Sequence, residues 1–159
     1  NFEISAIRTT LYCFPINLFA TVVTLFYGGI NYFDTAWGYH GGQSEYIVGK
    51  LLKKYPRESF YVADKFPGYD VTNFGKTEEI FEEQLKKVGV DYFDFYLLHA
   101  VNRDVMSVFE ADNSYEYLTK KKEEGKIKNL GFSYHDAAQN IIPVTEQLDF
   151  DFAQIQKFC

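Results

Sequence analysis

The chain is poor in the residues that build cross-links or metal centres, with two cysteines, one methionine, one tryptophan, four prolines and three histidines among 159 residues. Cys13 and Cys159 are too few and too far apart to read as a disulfide framework or a metal knuckle, and thiol scarcity of this kind fits a reducing cytoplasm. Positive charge is scarce as well. Sixteen Lys and Arg face 22 Asp and Glu, giving a net charge of -6, which excludes nucleic acid as a main partner because phosphate binding needs a basic surface. There is no internal repeat and no low-complexity tract. A Gly-rich fingerprint is also missing: Gly41-Gly42 lacks the spacing of a dinucleotide turn, and no GK[ST] follows.

Aromatic residues are abundant, at 13 Tyr and 16 Phe. They favour strands and large apolar contacts, and they argue against disorder or a coiled coil. The length suits one domain with a real core. From Thr9 to Phe33 there are 25 residues without a charge, which superficially resembles a signal or membrane segment. Pro15, Asn17, Gly28, Gly29 and Asn31 interrupt it, so it is read as a strand near Leu11 to Phe14 and a helix near Leu18 to Tyr27, both in the core. The chain starts without Met, and its true beginning is expected upstream.

Asn31-Tyr32-Phe33 reads as a short buried strand that stops at Asp34. A loop with Trp37, Tyr39 and His40 follows, Gly41-Gly42 breaks the chain, and Ser44-Glu45 supply the cap and first-turn acid of a helix. The apolar side of that helix is Val48, Leu51, Leu52 and Tyr55. After a turn at Pro56-Arg57-Glu58 comes a strand, Phe60 to Ala63, with Asp64-Lys65 at its end. Thr77 is a good N-cap for a helix that turns Ile80, Phe81, Leu85 and Val88 inward and closes at Gly89. The next strand is Phe93 to Leu98, ending in His99. The segment from Ala100 to Asn113 reads as a long loop, and Ser114 starts another helix that ends in KKKEEG. A strand at Asn129 to Phe132 stops at Ser133-Tyr134-His135-Asp136. A helical segment carrying Pro143 must kink or split, and Phe150 to Ile155 is the last strand.

Strand and helix alternate with short loops, which implies a parallel sheet, open or closed into a barrel. A barrel explains more, because polar residues sit at the carboxyl ends of successive strands. Asp34, Tyr39, Lys65 and His99 then share one edge, at intervals of 5, 26 and 34 residues. Each has a structural alternative: Asp34 as a turn cap, Tyr39 as a loop aromatic, Lys65 as a snorkelling surface residue, His99 as a strand-end histidine bound to backbone. Together they make a chemical group. A buried Lys needs a counter-charge that Asp34 can supply, and a phenol between an ammonium and an imidazole becomes a better proton donor.

At these residues the sequence resembles the aldo-keto reductase family. GGINYFDTAWGYHGGQSE matches the family's GINYFDTAxxYG-G-SE signature, with its catalytic Asp and Tyr at Asp34 and Tyr39. YVADK matches the strand that ends in the catalytic Lys, here Lys65, and DYFDFYLLH the segment that ends in the catalytic His, here His99. GKIKNLGFS and DFAQIQ match two later strands, and the resemblance implies nicotinamide contacts from Ser133 and Gln154, with Asp34 also on the cofactor side. The match runs from about Gly28 to Gln156. It implies an α/β (β/α)8 TIM barrel, incomplete at about six of eight strands, with residues 1–159 a single partial domain and 1–27 a divergent strand and helix. The implied reaction is reduction of an aldehyde or ketone with NADPH, or less often NADH, without a metal. Tyr39 would be the general acid, Lys65 would assist it, Asp34 would hold Lys65 charged, and His99 would orient the carbonyl. Trp37 and Phe66 are candidates for the pocket wall or for simple packing.

The YHGGQSE loop, LLHA and SYHD resemble a bacterial branch often followed by an iron-sulfur module, for which this chain carries no cysteine cluster. The family's asparagine after the serine is replaced by Tyr134, which puts one cofactor contact in doubt. After Gln156 the likeness stops, so about two strands, with the loops for the cofactor's pyrophosphate and 2′-phosphate, are expected to be missing. Other functions weighed are an inactive remnant serving as a binding or assembly module, a Schiff-base aldolase on Lys65, and a metal hydrolase using His99, His135 and Asp136. The expected partner is a small carbonyl compound rather than nucleic acid or membrane. The sequence leaves the substrate and the oligomeric state open.

Overall fold

The computed structural model describes residues 29–102 and 105–155. The strand expected at Leu11 to Phe14 and the helix at Leu18 to Tyr27 lie outside the described residues. The rest is a five-stranded parallel sheet with helices in the connections. Strand β1 (Tyr32–Asp34) is followed by α1 (Ser44–Leu52), β2 (Tyr61–Phe66), α2 (Thr77–Val88) and β3 (Phe93–Val101). After α3 (Met106–Ala111) and α4 (Ser114–Glu123) come β4 (Ile127–Tyr134), α5 (Ile141–Gln147) and β5 (Phe152–Ile155). The spatial order β1-β2-β3-β4-β5 is the chain order. A doubly wound sheet reverses direction at its switch point, whereas unbroken sequential order is how the wall of a (β/α)8 barrel is laid down.

Alternation along β2 separates two chemistries. Val62, Asp64 and Phe66 face the helices, where Phe66 meets Phe109 edge-on at 6.4 Å between ring centres. Tyr61, Ala63 and Lys65 face the concave side. An aromatic layer there joins Tyr32, Tyr61 and Phe152 to Phe95, with ring centres 5.3 to 6.3 Å apart. The main core lies on the helix side, built on Leu51, Leu52, Phe81, Tyr96, Leu98, Phe109 and Phe132. Helix α2 turns Ile80, Phe81, Leu85 and Val88 inward as expected, and ends at Gly89 in the left-handed conformation (φ 73°).

Several boundaries differ from the sequence expectation, each for a local reason. Asp64 and Lys65 lie inside β2, not beyond it, because both are buried and partnered. Neither Ser44 nor Thr77 is an N-cap; Gln43 and Lys76 hold those positions. The two hydroxyls are used between elements instead: Ser44 accepts from Thr35 Oγ1 at 2.9 Å, and Thr77 donates to Asp112 at 2.8 Å. The expected loop from Ala100 to Asn113 contains the end of β3 and helix α3, which seals the core with the fully buried Phe109. Around Pro143 the segment does split, into a 3-10 turn at Ala138–Asn140 and α5. Pro143 is the third residue of α5, where a missing N–H breaks no helical bond.

Helices α1 and α2 approach closely at Gly49. A Cβ there would lie 2.4 Å from the Val88 carbonyl oxygen and 2.7 Å from that of Lys87. Gly49→Ala is expected to lower unfolding free energy by about 1–3 kcal/mol, as over-packing does in a well-filled core. Urea denaturation checks this; an unchanged midpoint would mean that the two helices separate at little cost.

Candidate active site

The carboxyl ends of β1, β2 and β3 bring four of the sequence-predicted residues together. Parallel pairing sets Asp34 beside Ala63 and Lys65 beside Leu97, so along neighbouring strands Lys65 lies two residues beyond Asp34 and His99 two residues beyond Lys65. Lys65, 1% exposed, makes a short ion pair with Asp34 Oδ1 and donates to the Thr35 carbonyl oxygen at 2.7 Å. Its ammonium lies 4.8 Å from the centre of the Tyr39 ring. His99 meets that ring edge-on, with centres 5.6 Å apart. Tyr39 remains 37% exposed, so the phenol stands between a buried charge and solvent.

Burial, then the neighbouring Lys65 charge and His135, holds His99 down to about 3, well under the ordinary histidine range. Its imidazole is therefore neutral at pH 7, with one N–H to give and one lone pair to accept. His99 Nδ1 and Asp34 Oδ2 are buried and make no hydrogen bond. Asp64, next to Lys65 but on the helix side, is pushed well above the carboxylate range by burial and by Glu45.

The place of His99 depends on an irregularity after it. Ala100 adopts a left-handed φ of 58° and the register between β3 and β4 shifts between Leu98 and Val101, as at a β-bulge. The Ala100 amide donates to Ser133 Oγ at 2.8 Å. Ser133 is thus tied to the residue after His99, and β-sheet pairing sets it beside Gln154. Gln154 Oε1 is buried without a hydrogen-bond partner. Tyr134 turns into the core, and its hydroxyl donates to the Ala137 carbonyl at 3.0 Å.

Neither expected wall residue lines this group. Phe66 is fully buried among core aromatics, and Trp37 is covered by Lys87, whose Nζ lies 3.5 Å from the ring centre. Tyr69 takes the place instead: its ring meets His99 edge-on at 5.2 Å, and it is 43% exposed. The sequence signal was an aromatic just after the Pro67-Gly68 turn, four residues beyond Lys65. A cleft of about 550 Å³ lined by Phe132, Thr145, Leu148 and Phe150, among others, includes none of the four. Among the described residues no three His, Cys, Asp or Glu side chains gather to hold a metal ion, and no helix is long and apolar enough to cross a membrane.

The sequence model of the Aldo/keto reductase family matches residues 15–157. A probable aldo-keto reductase 1 of Glycine max is 37% identical over 113 residues, an alignment covering 66% of this chain and 32% of that protein. The NADH-specific methylglyoxal reductase of Escherichia coli (strain K12) is 36% identical over 126 residues, covering 69% and 38%. The crystal structure of an aldo/keto reductase from Brucella melitensis superposes with a TM-score of 0.66 at 28% identity, covering 87% of this chain and 52% of that one. The chain spans less than half the length of these curated relatives.

A histidine kept neutral by its surroundings resists acid only while it stays uncharged. Its folded value lies below the unfolded value of about 6.5, so its contribution to stability is full above that pH and is lost as pH falls toward 3. His99→Gln should therefore show a flatter loss of melting temperature between pH 6.5 and 4 than the wild type. Calorimetric melts across that range check it, and parallel curves would remove His99 from the acid response.

Proposed function

The chain belongs to the aldo/keto reductase family, and we propose that it carries the proton-transfer half of a nicotinamide-dependent carbonyl reductase. One observation supports this above the others: a buried lysine, charge-paired to Asp34, lies over the ring of a half-exposed tyrosine that a neutral histidine also touches.

NADPH, or NADH as the name of the Escherichia coli relative suggests, supplies a hydride when bound. Ser133 and Gln154 would hold the nicotinamide end. The fit rests on two features: Ser133 Oγ accepts from Ala100 and keeps its own proton to donate, and the buried Gln154 Oε1 has no partner. Tyr134 has no free amide to offer, so the contact made elsewhere in the family by an asparagine is not expected from it.

As the carbonyl carbon is reduced, its oxygen gains charge and needs a proton. The Tyr39 hydroxyl gives that proton, and the phenolate left behind is stabilised by the Lys65 ammonium. Asp34 keeps Lys65 charged, and the Thr35 carbonyl fixes its direction. A neutral His99 donates its N–H to the same oxygen without competing as an acid. Tyr69 beside His99 would wall the pocket and press a small aldehyde or ketone toward Tyr39. A small carbonyl compound is the proposed partner and the cytoplasm the proposed compartment.

Binding of NADPH to the 159-residue chain, followed by quenching of Trp37 with NADH in parallel, is the first test. Saturable binding supports the proposal, and a folded chain that binds neither nucleotide sinks it. Tyr39→Phe and Lys65→Met are each expected to lower turnover by about 10² to 10⁴-fold, the scale of a positioned acid-base group. Tyr69→Ala should mainly raise KM for the carbonyl. Unchanged turnover in Lys65→Met would remove Lys65 from the mechanism.

A further inference from the structure

On the helix side of β2, behind Lys65, lies a second polar group that the proton chemistry does not use. Asp64 of β2, Glu45 of α1, Gln84 of α2 and Tyr96 of β3 are all fully buried. Gln84 Nε2 donates to Glu45 Oε1 at 2.9 Å, to Asp64 Oδ1 at 2.8 Å and to the Lys65 carbonyl oxygen at 3.1 Å. Its Oε1 accepts from the Tyr96 hydroxyl at 2.5 Å. That orientation of the amide is forced, since an oxygen in place of Nε2 would face three acceptors with no hydrogen between them. Asp64 Oδ1 in turn accepts the Lys65 amide N–H at 2.8 Å. Lys87 joins at the far end, 3.2 Å from Glu45 Oε2, with its charge over the Trp37 ring at 3.5 Å.

Fastening two helices to a sheet does not require this set. Apolar side chains of the same size would do so without taking two carboxyl groups out of water. What apolar packing cannot do is grip a peptide. Here one network holds both peptide groups of Lys65, the N–H through Asp64 and the carbonyl through Gln84. Through Glu45 and Lys87 the same network reaches Trp37, two residues before Tyr39.

We propose that Gln84 is a positioning residue, which fixes the Lys65 backbone and the Trp37–Tyr39 loop in one frame and so sets the ammonium against the phenol ring. The proposal rests on Lys65 being the charge beside the proton donor, and it extends the site into the helix layer. Leu cannot replace Gln84, because it offers neither the amide donors nor the acceptor for Tyr96.

Its test uses neither cofactor nor substrate, so it fails or succeeds separately from the reductase assignment. Acylation of each lysine by acetic anhydride is followed by peptide mass spectrometry in the folded chain. The wild-type Lys65 should react far more slowly than the exposed Lys50 and Lys53. Asp34→Asn, which removes the counter-charge directly, sets the scale of release. Gln84→Leu is expected to speed Lys65 acylation about tenfold and to shift Trp37 emission. Tyr96→Phe, a milder change that keeps the core filled, is expected to speed it about threefold. Lys122, held in an ion pair with Asp151 at 2.5 Å away from α2, should keep its rate in both variants. Unchanged Lys65 protection in both, with native circular dichroism, overturns the proposal. An equal rise at Lys122 also overturns it, since that marks general loosening.

Discussion

The ion pair between Lys65 and Asp34 is the constraint from which the rest of the site follows. An ammonium with 1% exposure cannot remain charged without an opposite charge in contact, and Asp34 on the adjoining strand is that charge. Parallel registry of β1 with β2 brings the two within reach, and the Thr35 carbonyl is a second acceptor for the ammonium. With the cation fixed, the loop after β1 can lay the Tyr39 ring beside it and leave the phenol facing solvent. His99, kept neutral by burial and then by the same cation, closes the other side.

A strand buried on both faces usually carries apolar residues throughout. Strand β2 instead carries Asp64 and Lys65 in succession, one for each face, and both are compensated locally. The concave face holds the charge pair. The helix face holds a carboxyl group whose hold on a proton burial strengthens and an amide that unites three elements. Ala100 makes a comparable concession in β3, where a left-handed residue bends the strand end and a serine hydroxyl holds the bend.

Much of this was readable in the chain. The apolar spacing of Ile80, Phe81, Leu85 and Val88 with Gly89 behind it marks the buried face of α2 and its C-terminal end. The signatures around Asp34, Tyr39, Lys65 and His99 mark the candidate site, because motif residues at strand ends have little freedom once the strands are parallel. What failed to show were choices made between elements. Ser44 and Thr77 have the chemistry of N-caps, but Thr35 and Asp112 compete for their hydroxyls. Glu45 looks like a first-turn acid in solvent, yet it is buried because Gln84, thirty-nine positions later, comes to meet it. Trp37 and Phe66, which the sequence left open between pocket wall and packing, meet Lys87 and Phe109, while Tyr69 was not singled out.

Each strand lies beside the one made just before it, from β1 to β5. On a ribosome, therefore, none of the described strands from β2 onward has to wait for a distant partner. As each helix and strand leaves the exit tunnel, the edge it needs is already formed, and each addition covers the apolar edge left by the last. The polar groups follow the same timetable. Lys65 emerges after Asp34, and Gln84 after both Glu45 and Asp64, with Lys87 and Tyr96 of the same network following.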